Sequence, residues 1–139
     1  MTGYSGTPLA TKLGIKPGSK IFVSNAPKEY RLLVAPLPEG AKIVSILDET
    51  VDLIHAFRTK KRELARFLQA TVNEMRNDAA IWLSWPKRAS GVPTDITEDT
   101  IRAVALPLGL VDIKVCAIDD VWSALKLVIR KEKRRGRPG

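Results

Sequence analysis

The most constraining stretch of this sequence lies at residues 79–85, which are almost all apolar and end at Pro86. A half-exposed strand alternates apolar and polar residues, whereas a continuous apolar run of this length is typical of a central strand covered on both faces. Residues 60–75, just before it, carry apolar side chains at three- and four-residue spacings, as an amphipathic helix requires. These are Leu64, Phe67, Leu68, Val72 and Met75. A helix that leads directly into a buried strand favours an α/β fold.

Shorter segments complete an alternation of helices and strands. Glycine, proline and polar residues separate these segments, and β-branched residues mark the strands. In chain order we expect helix 8–13, strand 21–23, a helical turn at 28–34, strands 42–47 and 51–57, helix 60–75, strand 79–85, helix 95–106, and strands 110–118 and 121–129. Asp95, with Glu98 three residues later, predicts a capping box at the start of the last helix.

The order of these elements sets the expected topology. Strands separated by helices of this length form parallel βαβ units, and right-handed crossovers place helices on both faces of the sheet. Asp119 and Asp120, between the last two strands, are a hairpin signal. We therefore predict an α/β fold with a doubly wound, mostly parallel sheet and a C-terminal antiparallel hairpin.

The net charge of +8 is concentrated at one end of the chain. Between residues 130 and 137 six basic residues accompany one acid, Glu132, which leaves +3 for residues 1–129. The six are Arg130, Lys131, Lys133, Arg134, Arg135 and Arg137. We predict one α/β domain over residues 1–129, a common size for a domain. After this domain we predict a flexible basic tail over residues 130–139, because this segment has few apolar side chains to bury.

Composition narrows the class of protein. With 45% hydrophobic and 27% charged residues, the chain is typical of a globular protein. No apolar run approaches the ~20 residues that cross a bilayer, and the first residues carry no secretory apolar segment, so we expect no membrane partner and a cytoplasmic location. Cys116 is the single cysteine, which excludes an internal disulfide and a multi-thiolate metal site. No metal site is predicted.

Two resemblances add to this interpretation. Residues 12–23, which read KLGIKPGSKIFV, resemble the lead-in to the first strand of the S-adenosylmethionine-dependent methyltransferase fold, and the closing hairpin suits that fold. Segments 3–10, 84–87, 91–95 and 106–112 resemble a family of small bacterial domains of unknown function, over nearly all of residues 3–130. The resemblances imply a Rossmann/methyltransferase-like fold but no activity.

The turn after the first strand argues against a bound cofactor. A cofactor-binding version of this fold has a glycine-rich turn here, because only glycine lets the backbone come close to the ligand. Residues 24–30 contain no glycine, and Pro27 removes a backbone N–H donor. Asp48 or Glu49 lies near the end of the second strand, where an acid could hold ribose hydroxyls. We expect no cofactor, in a fold kept without its cofactor turn.

Candidate catalytic residues are few. His55 is the only histidine, and its place in strand 51–57 predicts a packed or hydrogen-bonded core residue. A nucleophile and base pair of Cys116 and His55 is the alternative, but nothing in the sequence brings the two together. Cys116 fits a small core residue better. No catalytic residue is assigned.

The carboxyl ends of the strands are the expected ligand crevice, because open α/β sheets form their crevice there. The loops at 24–27, 58–59 and 85–95 meet at this edge. Their polar side chains suggest a site for a small anionic ligand such as a phosphate. The candidates are Ser24, Asn25, Lys87, Arg88, Ser90 and Thr94. The alternative is a solvated loop shaped by Pro86 and Pro93.

The tail carries a motif with a known physical basis. Residues 134–138 read RRGRP, which resembles the core of an AT-hook, in which Arg-Gly-Arg lies in the narrow minor groove of A·T-rich DNA. Arg130, Lys131 and Lys133 flank it and would neutralise phosphates. The alternative is a basic tail that associates weakly with any polyanion.

Two function classes remain open from the sequence. The first is a non-enzymatic accessory or binding protein, whose Rossmann-like body recognises a small ligand or a protein and whose tail contacts DNA. The second is an enzyme acting on a phosphorylated or nucleotide ligand in the crevice at the strand ends. The missing glycine turn and the few acid–base groups favour the first class, and S-adenosylmethionine-dependent methyl transfer is disfavoured.

Overall fold

A computed structural model describes residues 6–134, which form an α/β fold around one six-stranded sheet. The strands are β1 (Lys20–Ser24), β2 (Lys42–Val44), β3 (Leu53–Phe57), β4 (Ala80–Pro86), β5 (Leu110–Ala117) and β6 (Trp122–Ile129). Their order across the sheet is β2-β1-β3-β4-β6-β5. Strands β1 to β4 are mutually parallel, and β6 is antiparallel to both β4 and β5. The predicted mostly parallel sheet with a C-terminal antiparallel hairpin is confirmed.

Helices cover both faces of the sheet. They are α1 (Leu9–Leu13), α2 (Tyr30–Leu33), α3 (Lys61–Glu74) and α4 (Glu98–Ala105). Leu13 of α1 and Tyr30 of α2 pack in one buried cluster, whereas Leu64 of α3 and Ile101 of α4 pack in the other. None of the helices between residues 6 and 134 is long and apolar enough to cross a membrane.

Strand β4 lies at the centre of both cores. All of its residues are buried, and alternation sends Trp82 towards α1 and Leu83 towards α3. The Trp82 indole is fully buried and donates its Nε1 hydrogen to the carbonyl of Leu13 at 2.9 Å. The apolar run therefore predicted a central strand correctly, and its buried polar N–H group has a partner.

The predicted capping box of Asp95 and Glu98 is wrong. Thr97 is the N-cap of α4, and its side chain accepts a hydrogen bond from the Thr100 amide at 3.1 Å. The Asp95 carboxylate instead accepts from the amide of Lys61, the first residue of α3, at 2.6 Å. The helix starts later than expected, so Asp95 caps a helix 34 residues earlier in the chain.

The residues after β6 contact the body. The Arg130 amide donates to the Gly109 carbonyl at 2.9 Å, Lys131–Lys133 form a 3-10 turn, and Arg134 Nε donates to the Ile129 carbonyl at 3.0 Å. Both carbonyls lie at the open end of the β5–β6 hairpin. These contacts extend past the predicted domain boundary at residue 129. Residues 135–139 of the predicted tail lie outside the described part of the chain.

Candidate functional site

The order of the strands places the expected ligand crevice between the carboxyl ends of β1 and β3. Strand β1 pairs with β2 on one side and with β3 on the other, so the direction of winding reverses between β1 and β3. In open α/β sheets ligands bind outside the carboxyl ends of the strands at such a reversal. Here those ends are Ser24 of β1 and Phe57 of β3, which Arg58 follows.

Arg58 spans this crevice. Its Nη2 donates to the Ser24 hydroxyl at 3.0 Å, and its Nη1 donates to the Phe57 carbonyl at 2.9 Å. The guanidinium also lies 4.6 Å from the centre of the Phe67 ring. Burial lowers the pKa of Arg58, and the charge of Glu63 opposes this shift. The side chain remains cationic, since arginine does not lose its proton in proteins.

Arg58 has no ion-pair partner among residues 6–134. The sequence placed it in one of the loops at this edge but gave no reason to single it out. Only the strand order shows that this position lies at the reversal point, and only the fold brings Ser24 and Phe67 to it.

The turn after β1 has a backbone geometry that the sequence did not indicate. Asn25 adopts a left-handed conformation with φ of 59°, which asparagine tolerates better than most residues. The chain therefore turns without glycine, but the Asn25 Cβ stays at the surface of the turn. The following helix, α2, has only four residues, and Glu29 is its N-cap. A single turn with a carboxylate at its start provides a weak dipole for an anion.

The loop after β4 holds its predicted ligand residues in internal hydrogen bonds. Lys87 Nζ donates to the Asp119 carbonyl at 2.7 Å. The Ser90 hydroxyl donates to the Lys87 carbonyl at 2.6 Å and accepts from the Val92 amide at 3.2 Å. Arg88 is exposed. Lys87 and Ser90 thus shape the loop, and their binding of an anion stays a prediction.

Thr94 joins this loop to the crevice edge. Its hydroxyl donates to the Thr59 carbonyl at 2.6 Å and accepts from the Ile96 amide at 3.1 Å. Beside this contact lies a pocket of about 500 Å³. The charged side chains that line it are Lys60, Arg62, Glu63, Arg66 and Asp95. Basic groups outnumber acidic ones by one, and Arg58 lies next to Thr59 at the same edge.

Asp48 and Glu49, which the sequence raised as acids that could hold ribose hydroxyls, do not lie at the carboxyl ends of the strands. Strand β2 ends at Val44, and the chain returns towards the amino ends of the strands before β3. Asp48 accepts a hydrogen bond from the Thr50 amide at 2.8 Å, and the Thr50 hydroxyl accepts from Lys20 Nζ at 3.1 Å. Hydrogen bonds from Thr50 lower the pKa of Asp48. Lys20 is the first residue of β1, so Asp48 and Thr50 lie at the amino ends of the strands, opposite the expected crevice.

His55 is a core residue, as predicted. Its Nδ1 lies 2.9 Å from the Tyr30 hydroxyl, its Nε2 lies 2.8 Å from the Ser84 hydroxyl, and its ring stacks on Phe57 with 4.4 Å between centres. Burial lowers the pKa of His55 to about 3 and raises the pKa of Tyr30. The sequence did not single out Tyr30 or Ser84, because nothing local indicates that they meet one imidazole.

Cys116 is not paired with His55. It lies on β5, three strand spacings or about 14 Å from β3 across the sheet. The thiol is buried, and burial raises its pKa, which opposes formation of a thiolate. The small-core interpretation of Cys116 is confirmed.

Comparison with known proteins identifies the fold. Neither a protein-family model nor a curated protein sequence matches this chain. A solved S-adenosylmethionine-dependent methyltransferase from Aquifex aeolicus is 13% identical with a TM-score of 0.65, over 87% of this chain and 88% of that one. The fold is methyltransferase-like.

Two further structures agree. A precorrin-6y C5,15-methyltransferase from Geobacter metallireducens is 8% identical with a TM-score of 0.57, over 86% of this chain and 84% of that one. A protein of the NADB-Rossmann superfamily from Streptococcus agalactiae is 10% identical with a TM-score of 0.54, over 93% and 70%. At these identities the methyltransferase-like fold is shared, and activity does not follow from it. Membership of the small bacterial family stays a prediction.

Proposed function

We propose that this chain is a non-enzymatic accessory or binding protein that holds a small anionic ligand at the carboxyl ends of β1 and β3. The observation that carries this proposal is the Arg58 guanidinium, half-buried at the reversal point without an ion pair among the described residues. Removing a cation from water is costly unless an anion compensates it. A guanidinium held by Ser24 and Phe67 still presents planar donors that suit a phosphate or a carboxylate.

Binding is favoured over catalysis by the positions of the titratable groups. A general acid or base must lie within hydrogen-bond reach of the reacting atom, with a pKa near the working pH. His55 and Cys116 are both buried in the core that lies beneath α1 and α2. Burial moves the pKa of each away from neutrality, lowering that of His55 and raising that of Cys116.

An enzyme that acts on a phosphorylated or nucleotide ligand in the same crevice is the second candidate. The methyltransferases among the similar solved structures favour it. For methyl transfer in particular, the Cβ of Asn25, the missing N–H of Pro27 and the single turn of α2 weigh against a bound nucleoside. Arg58 also occupies space between the two strand ends. We expect S-adenosylmethionine not to bind.

The proposed function includes contact between the C-terminal tail and A·T-rich DNA. Support comes from the sequence RRGRP at residues 134–138, of which only Arg134 lies within the described residues. The arginines suit the negative potential of a narrow minor groove. With a ligand site in the body and a DNA contact in the tail, the chain would be an accessory protein that binds a small anion and DNA.

Thermal unfolding of the full chain tests the crevice. Pyrophosphate, adenosine monophosphate and S-adenosylmethionine are added separately to the protein, to an Arg58→Gln variant and to a control with the same change in charge, Lys42→Gln, whose exposed side chain lies at the amino end of β2. A ligand at 100 times its dissociation constant stabilises by about 2.7 kcal/mol. We expect a phosphate compound to raise the melting temperature of the protein and of the control, but not that of Arg58→Gln.

Two results would contradict the proposal. One is equal stabilisation of Arg58→Gln and the other two proteins, which would place the anion elsewhere. The other is stabilisation by S-adenosylmethionine alone, which would support the enzyme instead.

A further inference from the structure

Three lysines lie together on the face of the sheet that α1 covers, and we call them the lysine face: Lys16, Lys114 and Lys126. Lys114 of β5 is directly opposite Lys126 of β6. Alternation places both on the same side of the sheet as Cys116 and Ala124, which belong to the core beneath α1. Lys16 follows α1 in the loop to β1.

The charges of the lysine face are held close together without acidic partners. None of the three makes an ion pair with a carboxylate of residues 6–134. Lys126 is half-buried, with Nζ 5.8 Å from the centre of the Trp82 ring. Burial lowers the pKa of Lys126 first, and the charges of Lys114 and Lys16 lower it further. Like charges directly opposite on neighbouring strands destabilise a sheet.

Nearby acids do not neutralise this face. Asp52 and Asp78 line the same pocket of about 490 Å³ as Lys16 and Lys126. Both carboxylates, however, bind Arg76, whose Nη2 lies 2.8 Å from Asp52 Oδ1 and whose Nε contacts Asp78. Two carboxylates around one guanidinium leave a net charge of −1 in this pocket, which offsets one of the three lysines, so the lysine face keeps a net positive charge of +2.

The shape of the surface suits an extended partner. A second pocket, of about 230 Å³, is lined by Lys114, the residue opposite Lys126, so the lysines border two depressions rather than one cavity. Ammonium groups are compact point charges that bind phosphates in many orientations. Three of them spread over an open surface match a chain of phosphates better than one small anion.

We propose that the lysine face binds the phosphate backbone of double-stranded DNA. The described end of the C-terminal basic segment lies by the same strand, because Arg134 contacts the carbonyl of Ile129, about 10 Å along β6 from Lys126. The body and the tail then engage one duplex from neighbouring positions. This inference goes beyond the proposed tail contact and does not depend on Arg58 or on any preference for A·T pairs.

The test measures affinity of the full chain for a G·C-rich duplex of 20 base pairs by fluorescence anisotropy at several salt concentrations. The G·C-rich sequence removes the readout proposed for the tail. The test variant is Lys16→Gln with Lys114→Gln and Lys126→Gln. Its control, with the same change in charge, is Lys28→Gln with Lys42→Gln and Lys61→Gln, which are exposed elsewhere.

Each phosphate contact contributes about 0.9 to the slope of log affinity against log salt concentration. We expect the test variant to bind at least tenfold more weakly at low salt, with a slope shallower by about 2.7. The control should keep most of the affinity and most of the slope of the unchanged protein. If Lys126→Gln unfolds the protein, the variant with Lys16→Gln and Lys114→Gln is tested instead, and its slope should be shallower by about 1.8.

The proposal is overturned if the control loses as much as the test variant, since the binding would then follow net charge alone. It is also overturned if the full chain does not bind the duplex, or if vesicles of anionic lipid displace the DNA from it stoichiometrically. An Arg135→Gln and Arg137→Gln variant that still binds the G·C-rich duplex separates the lysine face from the tail.

Discussion

The His55 Nε2 atom lies 2.8 Å from the Ser84 hydroxyl on the neighbouring strand, and neither side chain is exposed. A serine beside a histidine resembles the nucleophile and base of a hydrolase. Here the second ring nitrogen meets the Tyr30 hydroxyl at 2.9 Å. A catalytic histidine is also bonded through both nitrogens, but here His55 and Ser84 are fully buried, so no substrate reaches the serine and the contacts stabilise a neutral core imidazole.

Acid should destabilise the protein through His55. Burial lowers its pKa from 6.5 to about 3, so between these values the unfolded chain binds a proton that the folded protein does not. Stability is then fully present above pH 6.5 and falls as the pH drops, by roughly 1.4 kcal/mol per pH unit well below 6.5. We expect urea unfolding between pH 7.5 and 4.5 to show this slope.

A His55→Gln variant is the control for that slope. It should be less stable at pH 7.5, because it loses the stacking on Phe57, but its stability should change less with pH over the same range. Asp52 also has a lowered pKa, so its contribution is lost as the pH falls below about 5, and this small loss at the acid end of the range is the same in both proteins. Equal slopes for the two proteins would show that His55 is not the group that titrates.

Replacing Ser84 by alanine should destabilise the fold. The variant leaves His55 Nε2 without its buried partner, which costs about 1–3 kcal/mol of the free energy of unfolding. Ser45→Ala, at an exposed position, serves as the control and should change it by less than about 0.5 kcal/mol. Labelling of the native protein by a serine-reactive fluorophosphonate would contradict the buried, structural role of Ser84.

Asp95 should stabilise α3 although it lies far from that helix in the sequence. Its carboxylate accepts from the Lys61 amide at 2.6 Å, so Asp95→Ala should lower the free energy of unfolding by about 1 kcal/mol. Asp120→Ala, in the exposed turn between β5 and β6, should have little effect. Because the cap joins the loop at residue 95 to α3, hydrogen exchange should rise at the first amides of α3. Unchanged exchange there would rule out the capping role.

The tail motif makes a prediction about DNA sequence. If Arg135 and Arg137 enter a minor groove, the full chain should bind an A·T-rich duplex more tightly than a G·C-rich one, because the guanine amino group obstructs the groove floor. Replacing both arginines by glutamine should remove this preference. Replacing Lys131 and Lys133 should weaken binding to both duplexes about equally. Equal affinity of the unchanged protein for the two duplexes at physiological salt would reduce the motif to a general basic tail.

The fold was largely predictable because its signals are local. The apolar run at residues 79–85 and the spacing of Leu64 and Leu68 each report burial on a strand or a helix, and both patterns are visible in a short window. The alternation of elements then restricts the topology, since crossovers are right-handed. Element ends were less predictable: α4 starts at Glu98 rather than Asp95, because capping depends on which side chain lies near the amides.

The candidate sites depend on contacts between residues distant in sequence. Arg58 meets Ser24 across 34 positions, and His55 meets Ser84 across 29. No local pattern indicates either pair. The same holds for the lysine face, where pairing of β5 with β6 brings Lys114 opposite Lys126 and the loop after α1 adds Lys16. The sequence by itself determined which segments become strands and helices, because the spacing of apolar residues within each segment shows which side chains can be buried together. Only the tertiary structure decided which polar groups meet, because strand order and register bring together residues that the chain keeps far apart.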